Sequence, residues 1–261
     1  MSYYAGVDVG SVSCKAAIVD ASKQLLASAI VPTGAYCREA ALQALSAAIE
    51  RARVNPNDLA VVVATGYGRD NVECRAFSVT EITCHAVGAI HLFPKTRLVI
   101  DVGGQDCKAI RVDERGTVID FVMNDKCAAG TGRFFEVMAK ALGIELEDFG
   151  EISLKASKQI KLSSVCTVFA ESEVISLIAR GERVENILLG LCLSAAERVK
   201  KLAQKVGIIE EVTITGGVAR NIGFIEALSK LLGVRMNIPE EPQIVGAIGA
   251  ALIALEKSEW M

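Results

Sequence analysis

The sequence predicts an α/β protein built from two related halves. The first observation is a repeated peptide, because residues 8–15 read DVGSVSCK and residues 101–108 read DVGGQDCK, with five of the eight positions identical. The second observation is that each copy lies within the same succession of short apolar runs and polar turns. The third is that helix patterns follow both copies. No Pro-rich or Ser-rich linker separates the halves, and we place their boundary at Pro94.

The first half begins with three predicted strands. The apolar run YYAGVDV (3–9) enters the first copy of the peptide, KAAIVD (15–20) leaves it, and LLASAIV (25–31) follows a second turn. REAALQALSAAIERARV (38–54) spaces its apolar residues by three and four, which predicts a helix. AVVVATG (60–66) then predicts a buried strand. The first domain is therefore expected to span residues 1–94.

The second half, residues 95–261, repeats this plan and adds helices. TRLVIDV, CKAIRV and VIDFVM predict a second three-stranded meander around the second copy of the peptide. Helices are predicted in GRFFEVMAKALG, FAESEVISLIARG and ENILLGLCLSAAERVKKLAQKVG. VTITGG predicts a strand that enters a glycine turn before another helix, VRMNIP predicts a short strand, and IVGAIGAALIAL predicts the last helix.

Bulk composition excludes several classes of partner. Hydrophobic residues make up 51% of the chain and charged residues 23%, and the net charge is −3. Such a charge gives no clustered cationic surface for nucleic acid or for an anionic membrane. The sequence shows no signal peptide pattern and no apolar run of ~18 residues. We therefore expect a cytoplasmic protein whose eight cysteines are thiols.

Each repeated peptide has the composition of a phosphate-binding turn. Glycine in such a turn lets backbone N–H groups approach phosphate oxygens. In the first copy, Ser11 and Ser13 offer hydroxyl donors and Lys15 offers a positive charge. Asp8 and Asp101 end the preceding strands, where a carboxylate can hold water on a magnesium ion. Two such turns facing each other are predicted to clamp a triphosphate and its metal.

A hairpin without a ligand would explain one copy, but two copies in the same plan favour phosphate binding. The chain has neither the P-loop pattern nor the dinucleotide pattern, and TGGVAR (215–220) adds a third glycine turn. Gln105 is predicted to orient a water against the terminal phosphate, with Asp8 and Asp101 as the other catalytic candidates. The residues predicted to contact the nucleotide are Ser11, Val12, Ser13, Cys14, Lys15, Gly103, Gly104, Gln105, Asp106, Gly130, Gly132, Gly216, Gly217 and Gln243.

Four segments, DVGSVSCK, DVGGQDCK, TGGVARN and GAIGAAL, together resemble the phosphate, adenosine and connecting motifs of the superfamily that contains acetate and sugar kinases, chaperone ATPases and actin. A closer resemblance is to the BadF/BadG/BcrA/BcrD ATPase family, especially the activators of 2-hydroxyacyl-CoA dehydratases. ATGYGR (64–69), DVGGQDCK, NDKCAAGTGRF (124–134) and SSVCTVFAESEVISL (163–177) carry this resemblance, which covers essentially the whole chain. It implies two ribonuclease-H-like subdomains with a nucleotide cleft between them.

Two cysteines stand ahead of predicted helices. Cys127 follows Asn124 and Asp125, either of which can cap the next helix, and a thiolate near a helix N-terminus is stabilised. Cys166 precedes another helical stretch. From the residues alone, a buried apolar thiol and a metal ligand are equally good interpretations of both cysteines. The other six are interpreted as packed thiols: Cys14, Cys37, Cys74, Cys84, Cys107 and Cys192.

The resemblance implies that Cys127 and Cys166 ligate one 4Fe-4S cluster shared by a homodimer. Four thiolates are the usual complement of such a cluster, and two chains supply two each. The implied function is ATP-driven electron transfer to a partner iron-sulfur protein of the dehydratase type, with ferredoxin or flavodoxin as the donor. The implied cofactors are the cluster, ATP or ADP, and Mg²⁺.

Two other functions are compatible with the glycine turns. A small-molecule kinase of the same superfamily would use Asp101 or Asp106 as a base, and a nucleotide-gated scaffold protein would bind no cluster. Several residues are given no firm role. Tyr67 and Arg69 are interpreted as partner contacts, nucleotide contacts or parts of a structured loop, Glu171 as a solvated helix residue or a site residue, and His85 and His91 as core or surface residues.

Overall fold

The computed structural model describes residues 2–162 and 166–258 and contains two five-stranded mixed sheets, which confirms the predicted α/β class. The first sheet has the strand order β3-β2-β1-β4-β5. Its strands are β1 (Tyr3–Val9), β2 (Ser13–Asp20), β3 (Leu25–Pro32), β4 (Leu59–Thr65) and β5 (Phe77–Ser78). The second sheet has the order β10-β9-β6-β7-β8. Its strands are β6 (Leu98–Val102), β7 (Cys107–Val112), β8 (Val118–Asn124), β9 (Val212–Thr215) and β10 (Met236–Asn237).

The repeated peptide forms the same structure in both sheets. β1 and β2 are antiparallel with Asp8 opposite Lys15, and β6 and β7 are antiparallel with Asp101 opposite Lys108. β3 and β8 complete the two meanders, while β4 and β9 pair in parallel with β1 and β6. The predicted repeat is therefore confirmed as a repeat of topology and of register.

Eight α-helices are described within residues 2–162 and 166–258. They are α1 (Cys37–Ala52), α2 (Glu81–Leu92), α3 (Gly132–Leu142), α4 (Phe149–Ser153), α5 (Thr167–Ala179), α6 (Val184–Val206), α7 (Ile222–Leu232) and α8 (Val245–Ser258). The predicted helices correspond to α1, α3, α5, α6, α7 and α8. None of these helices is long and apolar enough to cross a membrane.

Helix α2 was not among the sequence predictions. Its residues EITCHAVGAIHL are buried on several sides, because α2 packs against the second sheet and also against α8. A helix enclosed in this way lacks the polar face that produces a clear three-to-four-residue periodicity. The packing of the molecule, rather than an amphipathic pattern, therefore accounts for this helix.

Helices α2 and α8 each pack against the sheet of the other half of the chain. Ile82 and Ala86 of α2 pack with Val99 and Ile110 of the second sheet, although α2 lies within residues 1–94. Conversely, α8 packs in one cluster with strands β1, β2 and β4 of the first sheet. The division into 1–94 and 95–261 stays a prediction. A single boundary in the sequence does not describe this packing, because each half contributes one helix to the core of the other.

Two glycines allow α2 and α8 to approach closely. A Cβ at Gly249 would lie 1.8 Å from the carbonyl oxygen of Cys84, and a Cβ at Gly88 would lie 2.2 Å from the carbonyl oxygen of Val245. A side chain at either position would clash with the other helix, so the backbones of α2 and α8 are in direct contact where the two helices pack. The glycine and alanine composition of GAIGAAL is explained by this contact.

Candidate functional site

A cavity of about 600 Å³ lies between the two sheets and is lined by both copies of the repeated peptide. The structure brings together nearly all of the residues predicted to contact nucleotide or to act in catalysis. Those that line the cavity are Asp8, Ser11, Val12, Ser13, Lys15, Asp101, Gly103, Gly104, Gln105, Asp106, Gly132, Gly216, Gly217 and Gln243. The two turns therefore face one common space, as a clamp requires.

Two of the predicted residues lie elsewhere. The side chain of Cys14 is buried in the core of the first sheet, where burial and then the charge of Asp8 raise the pKa of its thiol to about 12. Gly130 lines a second cavity of about 340 Å³, together with Cys127 and basic residues of α6. Neither residue is brought to the cavity between the sheets.

Local geometry explains why the two turns match. The N–H of Gly10 donates to the carbonyl of Ser13 at 3.1 Å, and the N–H of Gly103 donates to the carbonyl of Asp106 at 2.9 Å. Each turn is therefore closed by the same hydrogen bond between its first and fourth residues.

A second pair of glycines repeats in the same way. Gly66 and Gly216 follow β4 and β9, and both have φ of +87°. A Cβ at Gly66 would lie 2.4 Å from Asp8 Oδ1, and a Cβ at Gly216 would lie 2.8 Å from Asp101 Oδ1. Glycine is thus required at both positions by conformation and by space. The ATGYGR segment therefore packs against Asp8 in the same way as the TGGVAR segment packs against Asp101.

Asp101 is held by a dense set of partners. Lys108 Nζ lies 3.2 Å from its Oδ2, the Thr215 hydroxyl donates to its Oδ1 at 2.9 Å, and His85 Nδ1 is 3.5 Å from Oδ1. Burial alone raises the pKa of Asp101, but the close approach of His85, the charge of Lys108 and the hydrogen bond from Thr215 outweigh it. The pKa of Asp101 is therefore lowered, and the carboxylate is charged.

The two repeats differ in charge balance. Lys108 lies between Asp101 and Asp106, with its Nζ 2.7 Å from Asp106 Oδ2. Burial lowers the pKa of Lys108, but these two carboxylates outweigh burial and raise it. In the first repeat, Lys15 Nζ lies 3.5 Å from Asp8 Oδ2. The second turn therefore holds its lysine more firmly than the first.

Several residues of the cavity were missed by the sequence predictions. Lys108 ends the second copy of the repeated peptide as Lys15 ends the first, so alignment of the two copies would have identified it. His85 and Glu81 line the cavity from α2, which was not predicted as a helix. Thr215 contacts Asp101 from β9 through a pairing between distant segments. For His85, Glu81 and Thr215 the sequence offers no comparable spacing signal.

Other candidate residues have defined positions. A Cβ at Gly217 would lie 2.8 Å from Gln243 Nε2, so Gln243 covers this glycine at the cavity wall. Tyr67 lines the cavity with an exposed ring, and Arg69 forms an ion pair with Glu81 at 3.2 Å. Glu171 lies in α5 and is not among the residues that line the cavity.

The two predicted cluster cysteines are both accessible to solvent. Cys127 is half-buried, and Cys166 is exposed at the N-terminal boundary of α5. The first three residues of the SSVCTVF signature, 163–165, lie outside the described residues. Within the described part of the chain, no group of three or more His, Cys, Asp or Glu side chains could hold a metal ion.

The predicted helix cap ahead of Cys127 is wrong. Asn124 ends β8, and its Nδ2 donates to the carbonyl of Cys127 at 3.1 Å. Helix α3 begins only at Gly132, with Thr131 as its N-cap residue. The chain turns between Cys127 and the helix, so Asn124 fixes the cysteine loop rather than capping α3.

The loop after Cys127 is hydrogen-bonded to the second phosphate-type turn. The N–H of Gly132 donates to the carbonyl of Gly103 at 2.9 Å, and the N–H of Arg133 donates to the carbonyl of Gly104 at 2.8 Å. A Cβ at Gly132 would lie 3.1 Å from Gly104 Cα. The first turn of α3 is thus joined directly to the backbone of the cavity.

The architecture defines the class of protein. Two sheets of one topology enclose a cavity between paired turns, and the ROK family glucokinase from Streptomyces griseus has this fold, with a TM-score of 0.59 at 14% identity over 98% of this chain and 100% of that chain. The predicted α/β fold of two sheet subdomains is therefore confirmed. The chain belongs to the BadF/BadG/BcrA/BcrD ATPase family, whose model matches residues 5–254.

Three relatives are similar over almost their whole length. The activator of lactoyl-CoA dehydratase from Anaerotignum propionicum is 44% identical over 98% of this chain and 99% of the relative. The crystal structure of (R)-2-hydroxyglutaryl-CoA dehydratase component A from Acidaminococcus fermentans has a TM-score of 0.96 at 43% identity, covering 99% of this chain and 100% of that one. The activator of the 2-hydroxyisocaproyl-CoA dehydratase from Clostridium difficile, with bound ADPNP, has a TM-score of 0.94 at 38% identity, covering 99% and 96%.

Proposed function

We propose that this protein is an ATP-hydrolysing activator that transfers an electron to a dehydratase-type iron-sulfur protein. The observation that carries the proposal is the pair of hydrogen bonds from Gly132 and Arg133 to Gly103 and Gly104. These bonds join a phosphate-type turn to the segment that bears Cys127. The relatives named as dehydratase activators, one of them with bound ADPNP, support this function.

The proposed nucleotide site is the cavity between the sheets. The turns that follow Asp8 and Asp101 present backbone N–H groups to the phosphates, with Lys15 and the serine hydroxyls of the first copy as further donors. Asp8 and Asp101 fit a magnesium ion that they contact through bound water. Both carboxylate oxygens of Asp101 already have hydrogen-bond partners in the protein, so a water-mediated contact suits it better than direct coordination. Gln105 is proposed to orient the water that attacks the terminal phosphate.

The cysteines fit a cluster shared by two copies of the chain. Cys127 and Cys166 are accessible thiols, whereas Cys14, Cys84, Cys107 and Cys192 are buried, and burial raises the pKa of each of these four thiols. Cys127 and Cys166 from each of two chains supply the four ligands of a 4Fe-4S cluster in a homodimer, and the other accessible thiols, Cys37 and Cys74, lie outside both signature segments. When bound, the cluster would supply a one-electron carrier whose potential depends on its exposure and hydrogen bonding.

An exposed apolar surface beside Cys166 supports the homodimer. Val168 and Phe169, in the first turn of α5, are 65% and 67% exposed, and Ile175 lies further along the same helix at 54%. A second copy that brought its own Cys166 to a shared site would cover these side chains. Burial of apolar area of this kind is a general driving force of association.

Coupling between nucleotide and electron transfer follows from the connection at Gly132. ATP and ADP change the conformation only if they bind its two states differently. A movement of the Gly103–Gly104 turn toward a terminal phosphate would pull the start of α3 and the Cys127 loop with it. The chain would accept an electron from a ferredoxin or flavodoxin and, after ATP binding, release it to the partner protein.

Anaerobic purification tests this function. We expect brown protein with about four irons per dimer and an ATPase activity, and we expect Cys127→Ser and Cys166→Ser to lose the iron while keeping nucleotide binding. Cys74→Ser is the matched control, because Cys74 is exposed and lies outside both segments. Normal iron content in either ligand variant would refute the assignment. Colourless wild-type protein would favour the kinase or scaffold alternative.

A further inference from the structure

A histidine outside the repeated peptides lies between the two carboxylates of the cavity. His85 of α2 is 5% exposed and lines the cavity. Its Nδ1 faces the second repeat, 3.1 Å from Thr215 Oγ1. On the other side, a Cβ at Gly246 would lie 2.9 Å from His85 Nε2 and 3.1 Å from Asp8 Oδ2. The two ring nitrogens therefore face the two halves of the proposed phosphate clamp.

The hydrogen bonds around Asp101 assign the tautomer of His85. The Thr215 hydroxyl donates its single proton to Asp101 Oδ1 at 2.9 Å. Thr215 Oγ1 then has only lone pairs to offer to His85, so the ring nitrogen facing it, Nδ1, carries a proton. In a neutral imidazole the other nitrogen, Nε2, is an acceptor.

The acceptor nitrogen, Nε2, lies near Gly246 and Asp8. Within residues 2–162 and 166–258, no side chain or backbone group is hydrogen-bonded to Nε2. Gly246 places no side chain between Nε2 and Asp8. The contact between Nδ1 and Thr215 therefore fixes the orientation of the ring. Nε2 remains as a buried hydrogen-bond acceptor near the carboxylate of Asp8.

We propose that His85 is a further catalytic residue, whose Nε2 accepts a hydrogen bond from the water that attacks the terminal phosphate. The side-chain amide of Gln105, in the second turn, would form another hydrogen bond with the same water. The water oxygen forms the new bond to phosphorus, the bond to the bridging oxygen breaks with its electron pair leaving on ADP, and both protons of the water remain on the released phosphate. This inference rests on the proposed ATP hydrolysis in this cavity.

Two substitutions separate the roles of the two ring nitrogens. The amide of Asn reaches the position of Nδ1 and can still donate to Thr215, whereas the longer Gln brings its carbonyl oxygen near the position of Nε2. We expect His85→Asn to lower kcat for ATP on the order of 100-fold while the Kd for ATP stays within about threefold. His85→Gln is expected to keep kcat within about tenfold of the wild type.

The measurements are steady-state ATPase kinetics and equilibrium ATP binding on the purified full-length chain. His91→Asn is the matched control, because His91 is exposed near the end of the same helix. The inference is overturned if His85→Asn keeps the wild-type kcat, if both His85 variants lose kcat equally, or if weaker ATP binding accounts for the loss. Absence of ATPase activity in the wild type would instead refute the proposed function.

A second variant covers the case in which His85→Asn does not fold. Gly246→Ala places a Cβ at the 2.9 Å contact with Nε2, so the ring must move or its acceptor is covered. We expect the same loss of kcat at preserved ATP affinity. A wild-type kcat in a folded Gly246→Ala protein would overturn the inference independently.

Discussion

Lys108 shows how strongly one side chain of the cavity depends on its neighbours. Its side chain is 4% exposed and lies between Asp101 and Asp106, whereas the side chain of Lys15, its counterpart in the first repeat, is 13% exposed and contacts only Asp8 among acidic groups in the described chain. Removing one partner of a buried ion pair leaves the other charge without compensation. The two lysines occupy equivalent positions and should still differ in their effect on stability.

We expect Lys108→Met to lower the free energy of unfolding by about 3–5 kcal/mol, the usual cost of breaking a buried pair. Lys15→Met is the matched control and should cost less, since its pair is longer and more exposed. Urea denaturation measures both values. Equal losses in the two variants would contradict the unequal burial of the two repeats.

The lowered pKa of Asp101 predicts a pH-dependent stability. Burial opposes the shift, but His85, Lys108 and Thr215 together hold the folded pKa below the ordinary value. The stabilisation is therefore present above an unfolded pKa of about 3.9 and is lost as pH falls through the folded pKa. The difference in unfolding free energy between the wild type and Asp101→Asn should shrink between about pH 5 and about pH 3. A difference that grows on acidification in urea titrations would contradict this.

At the scale of elements, the contact between α3 and the second turn is the proposed route of communication between the nucleotide site and the cysteine loop. Helix α3 starts at Gly132, directly against Gly103 and Gly104, and Cys127 lies five residues earlier in the loop that follows β8. The sheets supply the rigid frame, and this helix start is the part that touches both the proposed nucleotide site and the cysteine loop.

Gly132→Ala should weaken this communication. Its Cβ would lie 3.1 Å from Gly104 Cα, which forces the helix start and the turn apart by a few tenths of an ångström. In the wild type, we expect ATP to change hydrogen–deuterium exchange in residues 125–131, and in Gly132→Ala we expect this change to be lost while ATP still binds. Lys140→Ala, an exposed position on the same helix, is the control. An unchanged response in Gly132→Ala would argue against the coupling route.

At the scale of the whole molecule, the exposed apolar start of α5 is the surface that a second copy is proposed to cover. Val168 and Phe169 lie two and three residues after Cys166, so the proposed interface and the proposed cluster ligand involve the same part of the chain. A substitution that introduces charge there should therefore affect both the oligomeric state and the iron content.

We expect Phe169→Asp to be monomeric by sedimentation velocity and to carry little iron, because a carboxylate in the interface would lose its hydration without a partner. Nucleotide binding should persist, since Phe169 does not line the cavity. Leu42→Asp serves as the control, because Leu42 is 45% exposed on α1 in the first half of the chain. A dimeric Phe169→Asp protein with full iron content would exclude this surface as the interface.

The sequence predicted much of the fold because most of its signals are local. Strand, turn and glycine patterns specified the two meanders, and their repetition indicated that the two turns would face one cavity. The same reasoning missed α2, whose enclosed surface has no polar face, and it assigned to Asn124 or Asp125 a helix cap that Thr131 occupies. Both errors concern segments whose conformation depends on neighbours remote in sequence.

By itself, the sequence determined the repeated phosphate-type turns, the family resemblance and the two cysteine segments, since each is written in contiguous residues. Only the tertiary structure decided that α2 and α8 cross between the halves, that Gly132 is bonded to Gly103, and that His85 meets Thr215, 130 residues away. The physical reason is that these contacts follow from which surfaces are buried together, and periodicity along one segment carries no information about its distant partner.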